Sequence, residues 1–330
     1  MGRRTINFGC WDYDRMVPLI DGRVRADGID LNFLNLPVEE TFFRMLRHQE
    51  FDAAEMSLSS YVVSRFRADE PFVAIPAFPS RFFRHCSIYV NANAGIEEPK
   101  DLIGKRIGCP EYQMTAPVWI RGILSDEYGV PVDSVTYVTG GEESPNRKEK
   151  LNLDLPSSIR VEPIGPDKTL ATMLRDGEID ALYTARKPST YTGRDGSVRR
   201  LFEDYEAVER DYFARTGIFP IMHTVVVRRS VVEEAPWVCQ SLLKALTQSK
   251  DIVLDGLRET AALKASLPWL VAHVEDAERF MGKDFWTYGF EGNRTTIDTF
   301  LRYHHEQGLS KTRLKPEEIF AASTMESFVI

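Results

Sequence analysis

The chain repeats itself, and this repeat limits its possible folds more than any other feature. Gly9-Cys10-Trp11-Asp12-Tyr13 returns as Gly108-Cys109-Pro110-Glu111-Tyr112, keeping Gly, Cys and Tyr and matching an acid to an acid. Met45-Leu46-Arg47-His48-Gln49-Glu50-Phe51-Asp52-Ala53 returns as Met173-Leu174-Arg175-Asp176-Gly177-Glu178-Ile179-Asp180-Ala181. The second copy holds 29 more residues between its two matches, and the polar, Gly/Pro-rich stretch 140–166 accommodates them. Each copy reads β-α-β-α-β. The first has strands at 6–10, 29–34 and 51–56, a helix at 15–26, and a second helix marked by Val38, Phe42, Met45 and Leu46 at i, i+4, i+7 and i+8. The second has strands at 106–109, 134–138 and 179–184 and helices at 116–127 and 168–175. Parallel strands joined by helices make an open α/β lobe, so the chain holds two.

Two β-rich segments, 86–91 and 223–228, bracket the second copy and are predicted to carry the chain across and back. The C-terminal part is helical at 235–254, 268–281, 295–306 and 316–322, and these helices are expected to pack on the first lobe. The predicted architecture is two open α/β lobes joined by two hinge strands, with extra C-terminal helices and a cleft between the lobes. Residues 1–88 and 225–330 form the first lobe and 89–224 the second, which suits a length of 330 residues.

Composition narrows the function. The net charge of −8, with no Lys/Arg run longer than two, argues against nucleic-acid binding. No apolar stretch reaches membrane-helix length, so no membrane partner is expected. Cys10, Cys86, Cys109 and Cys239 lie far apart, and no HxH, HExxH or paired-carboxylate motif occurs, so no metal is expected. There is no phosphate loop, GxGxxG or GxSxG, which leaves hydride transfer, phosphoryl transfer and serine hydrolysis without a foothold. Arg3 and Arg4 are followed at once by a short alternating strand instead of the apolar core of an export signal, so a cytoplasmic location is expected.

Residues 101–108 (DLIGKRIG) resemble the entry to the second lobe of type II periplasmic-binding-protein folds, and 174–181 (LRDGEIDA) resemble the helix–Gly–strand step of that lobe. More specific are 9–15 (GCWDYDR), 84–91 (RHCSIYVN), 108–116 (GCPEYQMTA), 119–124 (WIRGIL), 140–150 (GGEESPNRKEK) and 220–226 (PIMHTVV). Together these resemble the 4,5-dihydroxyphthalate decarboxylase family over nearly the whole chain. The resemblance implies a cytosolic, cofactor-independent lyase that works on a hydroxylated aromatic acid in a binding-protein fold.

Ligands of open α/β sheets bind beyond the carboxyl ends of the strands, where helix N-termini favour anions. That rule selects Trp11, Tyr13, Glu55, Ser57, Tyr112, Thr115, Tyr183 and Arg186. The aromatic side chains serve either as flat walls of the cleft or as packing. Arg84, Arg121 and Arg186 stand beside predicted cleft elements, either as carboxylate forks or as structural ion pairs. Arg15 is expected on the surface of the first helix. His85 and His223 open the outgoing and returning segments, and with these side by side they are expected to meet at one substrate, assisted by Asp12 or Glu111. The tasks of acid and base stay open between the two histidines. The expected reaction is decarboxylation of 4,5-dihydroxyphthalate, or a close relative, to a phenolic monoacid; the alternatives are a solute-binding protein of a transporter without chemistry and another small-acid enzyme on this scaffold. The expected partner is the small aromatic acid, and homo-oligomer formation stays open.

Overall fold

In the computed structural model, residues 2–193 and 196–325 are described. The first sheet comprises β1 (Arg4–Cys10), β2 (Ile29–Asn35), β3 (Ala53–Ser57) and β4 (Phe72–Arg81), and the chain returns to it as β11 (Ile221–Arg228). Its order is β2-β1-β3-β11-β4, with β11 antiparallel to both neighbours. The second sheet has the order β10-β5-β9-β6-β7-β8. It is made of β5 (Ile88–Asn91), β6 (Arg106–Cys109), β7 (Thr136–Thr139), β8 (Arg160–Pro163), β9 (Ala181–Tyr183) and β10 (Val198–Arg200). Helices α1 (Val17–Ile20), α2 (Val38–His48) and α3 (Leu58–Ser64) belong to the first copy, and α4 (Thr115–Tyr128) and α5 (Leu170–Asp176) to the second. The chain returns through α6 (Tyr205–Thr216), and α7 (Arg229–Glu234), α8 (Trp237–Gly256), α9 (Leu270–Met281) and α10 (Arg294–Glu306) follow β11.

The repeat has a physical cause. A Cβ on Gly9 would lie 2.9 Å from the Phe51 ring, and one on Gly108 would lie 2.6 Å from Ile179. Phe51 and Ile179 are the same position of the second repeated motif, so in each lobe the first motif's glycine makes room for the second motif's apolar side chain. The repeated aspartate does the same job twice as well. Asp52 accepts the backbone N–H of Asn7 at 2.9 Å, and Asp180 accepts that of Arg106 at 2.8 Å, each two residues before the glycine. The registers agree, with Phe8 opposite Ala53 and Ile107 opposite Ala181.

Several expectations need correction. The first-copy helix is confined to a turn at Asp14–Met16 and the four residues of α1, because the chain reverses at Gly22, whose φ of +80° only glycine takes without strain. The predicted helix at 316–322 reduces to a turn at Pro316–Glu318, since Phe320 bridges to Ala74 on β4 instead. The segments expected side by side lie in different sheets: β5 pairs with β9 and β10, while β11 lies between β3 and β4. The C-terminal helices also do not all stay on the first lobe. Helix α10 packs along α4: the Trp119 ring lies 5.4 Å from Phe300 and 5.7 Å from Tyr303 between centroids. Gln307, just past α10, accepts from Arg121 Nε at 2.7 Å and donates to Val118 O at 2.8 Å. Trp119 Nε1 also donates to Ile221 O at 2.8 Å, so α4 of the second lobe is clasped by β11 and α10.

Helix α4 is therefore buried nearly all round, and Gly122 allows its close approach to Tyr303. A Cβ there would overlap the ring. Gly122→Ala is expected to lower the unfolding free energy by about 1–3 kcal/mol. An unchanged denaturant midpoint would show that α10 yields without cost.

Candidate active site

Because β11 runs antiparallel to β3, its start meets the carboxyl end of β3, where His223 lies opposite Ser57. There Glu55, fully buried on β3, collects four donors. Oε1 accepts from His223 Nδ1 at 2.6 Å and from the Tyr13 hydroxyl at 2.7 Å. Oε2 accepts from the Trp11 backbone N–H at 3.4 Å and from Cys10 Sγ at 3.6 Å. Burial alone would push Glu55 up, but His223, Tyr13 and the Trp11 N–H outweigh it and hold the carboxyl below its usual range. An ionised carboxylate only accepts, which places the proton of the shared bond on Nδ1 and leaves Nε2 the acceptor, without a partner among the described residues. The ring is fixed on its other side by the edge of Phe42 at 4.9 Å. Burial, then Glu55, raises the pKa of both Cys10 and Tyr13, so these stay a thiol and a phenol. Trp11 is 45% exposed and stands edge-on to Tyr13.

The second lobe faces this pair with charge. Glu111 is buried, but it is tied to Arg147 at 2.6 Å, to Lys150 and to Gln113 Nε2 at 2.8 Å. Burial pushes it up, and Lys150 and Arg147 more than reverse this. Arg147 and Arg186 both reach across to Glu39 on α2, at 3.3 and 3.5 Å. The lobes also touch through Ser57 and Thr115 (2.8 Å) and through Ser60 and Gln113 (2.8 Å).

The structure thus brings Trp11, Tyr13, Glu55 and His223 together, with Arg186 at the opposing lip and Asp12 exposed beside Trp11. It separates the other candidates from that site. His85 is not beside His223; it is buried among Tyr128, Phe202 and Tyr212, and burial, then Arg215, lowers it to about 4. Glu111 is locked in its ion cluster. Tyr112 and Tyr183 are core side chains, not walls, and Tyr112 donates to Gln307 O at 3.0 Å. Arg121 is buried over the Tyr112 ring and bonds to Gln307. Arg84 is buried in the hinge against Met222 and Ser87. Ser57 does lie beside His223, but its hydroxyl and that of Thr115 satisfy each other across the lobes. Arg15 is not a surface side chain, being sandwiched between Tyr13 and Trp286. Sequence reasoning missed Glu39, Phe42, Glu142, Arg147 and Lys150. The 29-residue excess of the second copy was the available signal for the last three.

The fold and this site define a class: a two-lobed protein of type II periplasmic-binding-protein-like fold with a buried carboxylate–imidazole pair at its cleft. A periplasmic sulfonate-binding protein from Methylobacillus flagellatus superposes with a TM-score of 0.57 at 12% identity, covering 96% of this chain and 91% of that one. The periplasmic aliphatic sulphonate binding protein of Escherichia coli gives 0.55 at 13% identity, covering 98% and 99%. Both show the fold alone. No family model matches the chain. A 4,5-dihydroxyphthalate decarboxylase of Comamonas testosteroni is 44% identical over 330 residues, 100% of both chains. One of Pseudomonas putida is 43% identical over 213 residues, 64% of this chain and 83% of that one. The chain belongs to the 4,5-dihydroxyphthalate decarboxylase family.

Proposed function

We propose that this chain is a carboxy-lyase that converts 4,5-dihydroxyphthalate, or a close hydroxylated aromatic diacid, to protocatechuate or its counterpart in the cleft between the lobes. The observation that carries the reading, beside family membership, is the Glu55–His223 pair. A fully bonded buried carboxylate holds the imidazole in one tautomer and leaves Nε2 to work on a ligand. In this reading His223 Nε2 takes the proton of the hydroxyl para to the departing carboxylate, which drives electron density onto the ring carbon that carries it. The remaining carboxylate needs a cation held still, and Arg147 and Arg186 supply two. Glu39 now occupies them, so a substrate carboxylate would displace it. Trp11 and Phe42 offer apolar faces for the ring.

The reading is tested by incubating the protein with 4,5-dihydroxyphthalate in excess chelator. CO2 and protocatechuate are expected in equal amounts, one of each per substrate consumed. Binding without CO2 release would overturn it; release only after a divalent ion is restored would keep the decarboxylation and overturn its independence of metal.

The displaced carboxylate gives a second expectation. Glu39→Gln removes the competitor for Arg147 and Arg186 and should tighten phthalate binding by about threefold, the scale of a half-exposed ion pair. Arg186→Lys, which keeps charge but loses the planar fork, should weaken binding while kcat holds. Calorimetric titration checks both. Weaker binding by Glu39→Gln would make Glu39 part of the ligand site instead of its placeholder.

A further inference from the structure

Glu142 lies at the head of the inserted loop, three residues past β7, and its backbone is fixed. Its carbonyl accepts the Ala171 N–H at 3.0 Å and that of Gly141 accepts Leu170 N–H at 2.9 Å, which docks the residue on the start of α5. The next residue is anchored as well, Glu143 accepting the Ser189 N–H at 2.8 Å and its hydroxyl at 2.6 Å. The Glu142 side chain is buried, and its Oε2 accepts the hydroxyl of Thr184, the residue after β9. Thr184 Oγ1 in turn accepts the Arg186 N–H at 3.1 Å. The one hydroxyl proton of Thr184 is therefore committed to Oε2, and a proton on Glu142 belongs on Oε1. Oε1 is buried with no hydrogen-bond partner among the described residues. A carboxylate oxygen in that position is costly, and the neutral acid is favoured.

The charged groups around it act in opposite directions. Burial raises Glu142 most and Glu143 adds to it, while Thr184, Arg186 and Arg147 oppose, leaving the carboxyl at about 7. Glu142 thus neighbours the two arginines assigned to the substrate carboxylate, on the lobe that faces Glu55 and His223.

We propose that Glu142 is the proton donor to the ring carbon that loses CO2, acting from Oε1. The inference rests on the decarboxylase reading and completes it. The Glu142 O–H bond breaks as a C–H bond forms at that carbon. The C–C bond to the carboxylate then breaks, and its electron pair restores the aromatic ring as CO2 leaves. His223 returns the hydroxyl proton to the product oxygen. Glu142 takes one proton from water, which balances the one consumed per CO2 released.

The test compares Glu142→Gln and Thr184→Val with the wild type in kcat and in kcat/KM against pH, alongside calorimetric binding of phthalate, which carries both carboxylates but neither hydroxyl. Glu142→Gln should lower kcat by about 10²–10⁴-fold and leave phthalate affinity within threefold, which also shows that the variant is folded. The wild-type kcat/KM, which reports the ligand-free protein, should fall above about pH 7 as Glu142 ionises. Thr184→Val removes a bond that favours the ionised form, so this basic limb should move to higher pH, a shift that a structural role would not produce. Glu142→Gln with kcat within threefold of wild type, or a limb unmoved by Thr184→Val, overturns the assignment. Failure of the decarboxylase reading looks different: wild-type protein that binds phthalate and releases no CO2 from 4,5-dihydroxyphthalate.

Discussion

Glu55→Gln is expected to cost about 10²–10⁴-fold in kcat with little change in substrate affinity. The carboxylate accepts from His223 Nδ1, the Tyr13 hydroxyl, the Trp11 N–H and Cys10 Sγ. A glutamine has one acceptor oxygen and an amide that itself donates. If the amide faces His223, Nδ1 must become the acceptor and Nε2 carries the proton, so the base is lost by a change of tautomer without any movement of the ring. If the oxygen faces His223, the amide meets the Trp11 N–H and Cys10, and a buried donor is left unpaired at about 1–3 kcal/mol. His223→Asn should lose a similar factor. The double variant should be no worse than the weaker single one, because the two residues act as a unit. Either single variant retaining kcat within threefold would remove the pair from the chemistry and leave it a structural hydrogen bond at the sheet end.

How far the sequence revealed this site depends on what each residue's neighbours are. Trp11, Tyr13 and Glu55 follow or end strands whose alternation is local, so the strand-end rule reached them without tertiary knowledge. His223 was found as well, but with the wrong companion. The sequence paired it with His85 because both open β-rich segments, and nothing local tells that one segment is drawn into the first sheet and the other into the second. Tyr112 and Arg121 looked like cleft residues because their cover, α10 and Gln307, comes from the chain end, 195 and 186 residues away. A helix buried on all sides, such as α4, has no polar stripe to mark which face meets ligand. The charged loop 140–150 has no period at all. Its polar composition marks no inward face, yet Glu142, Arg147 and Lys150 turn inward because Glu111 and Thr184 wait there as partners.

The same buried groups set the response to acid. His304 is enclosed between Ser310 and Ser59 Oγ, the latter at 3.0 Å, and burial leads the causes that lower it to about 3. His85 is lowered to about 4. For both, the unfolded chain takes up a proton near pH 6.5 and the folded chain does not, so stability falls as pH drops through that window, by about 1.4 kcal/mol per pH unit for each histidine. Glu142 and Glu149, each raised to about 7 mainly by burial, have the opposite sign. The folded chain keeps protons there that the unfolded chain releases near 4.5, so their contribution is present below 4.5 and is lost as pH rises towards 7. Glu142 and Glu149 offset the two histidines between about pH 4.5 and 6.5, and Glu209, also raised by burial, adds to the carboxyl side, so urea unfolding should show at most a shallow decline there as pH rises. Below about 4.5 the glutamates fall silent and the histidines do not. Stability should then drop by about 2 kcal/mol over the next pH unit, most of it from His304 because His85 itself protonates near 4, with Glu55 and Glu111, held below their usual range, adding to the loss as they protonate. His85→Phe isolates the effect, since it keeps the ring among Tyr128, Phe202 and Tyr212 and removes two buried nitrogens that lack partners among the described residues. With one histidine gone, the glutamates are no longer balanced, and stability should decline by about 1.4 kcal/mol per unit as pH rises from 4.5 to 6.5. A His85→Phe profile as flat as the wild type would show that His85 does not resist protonation in the folded chain.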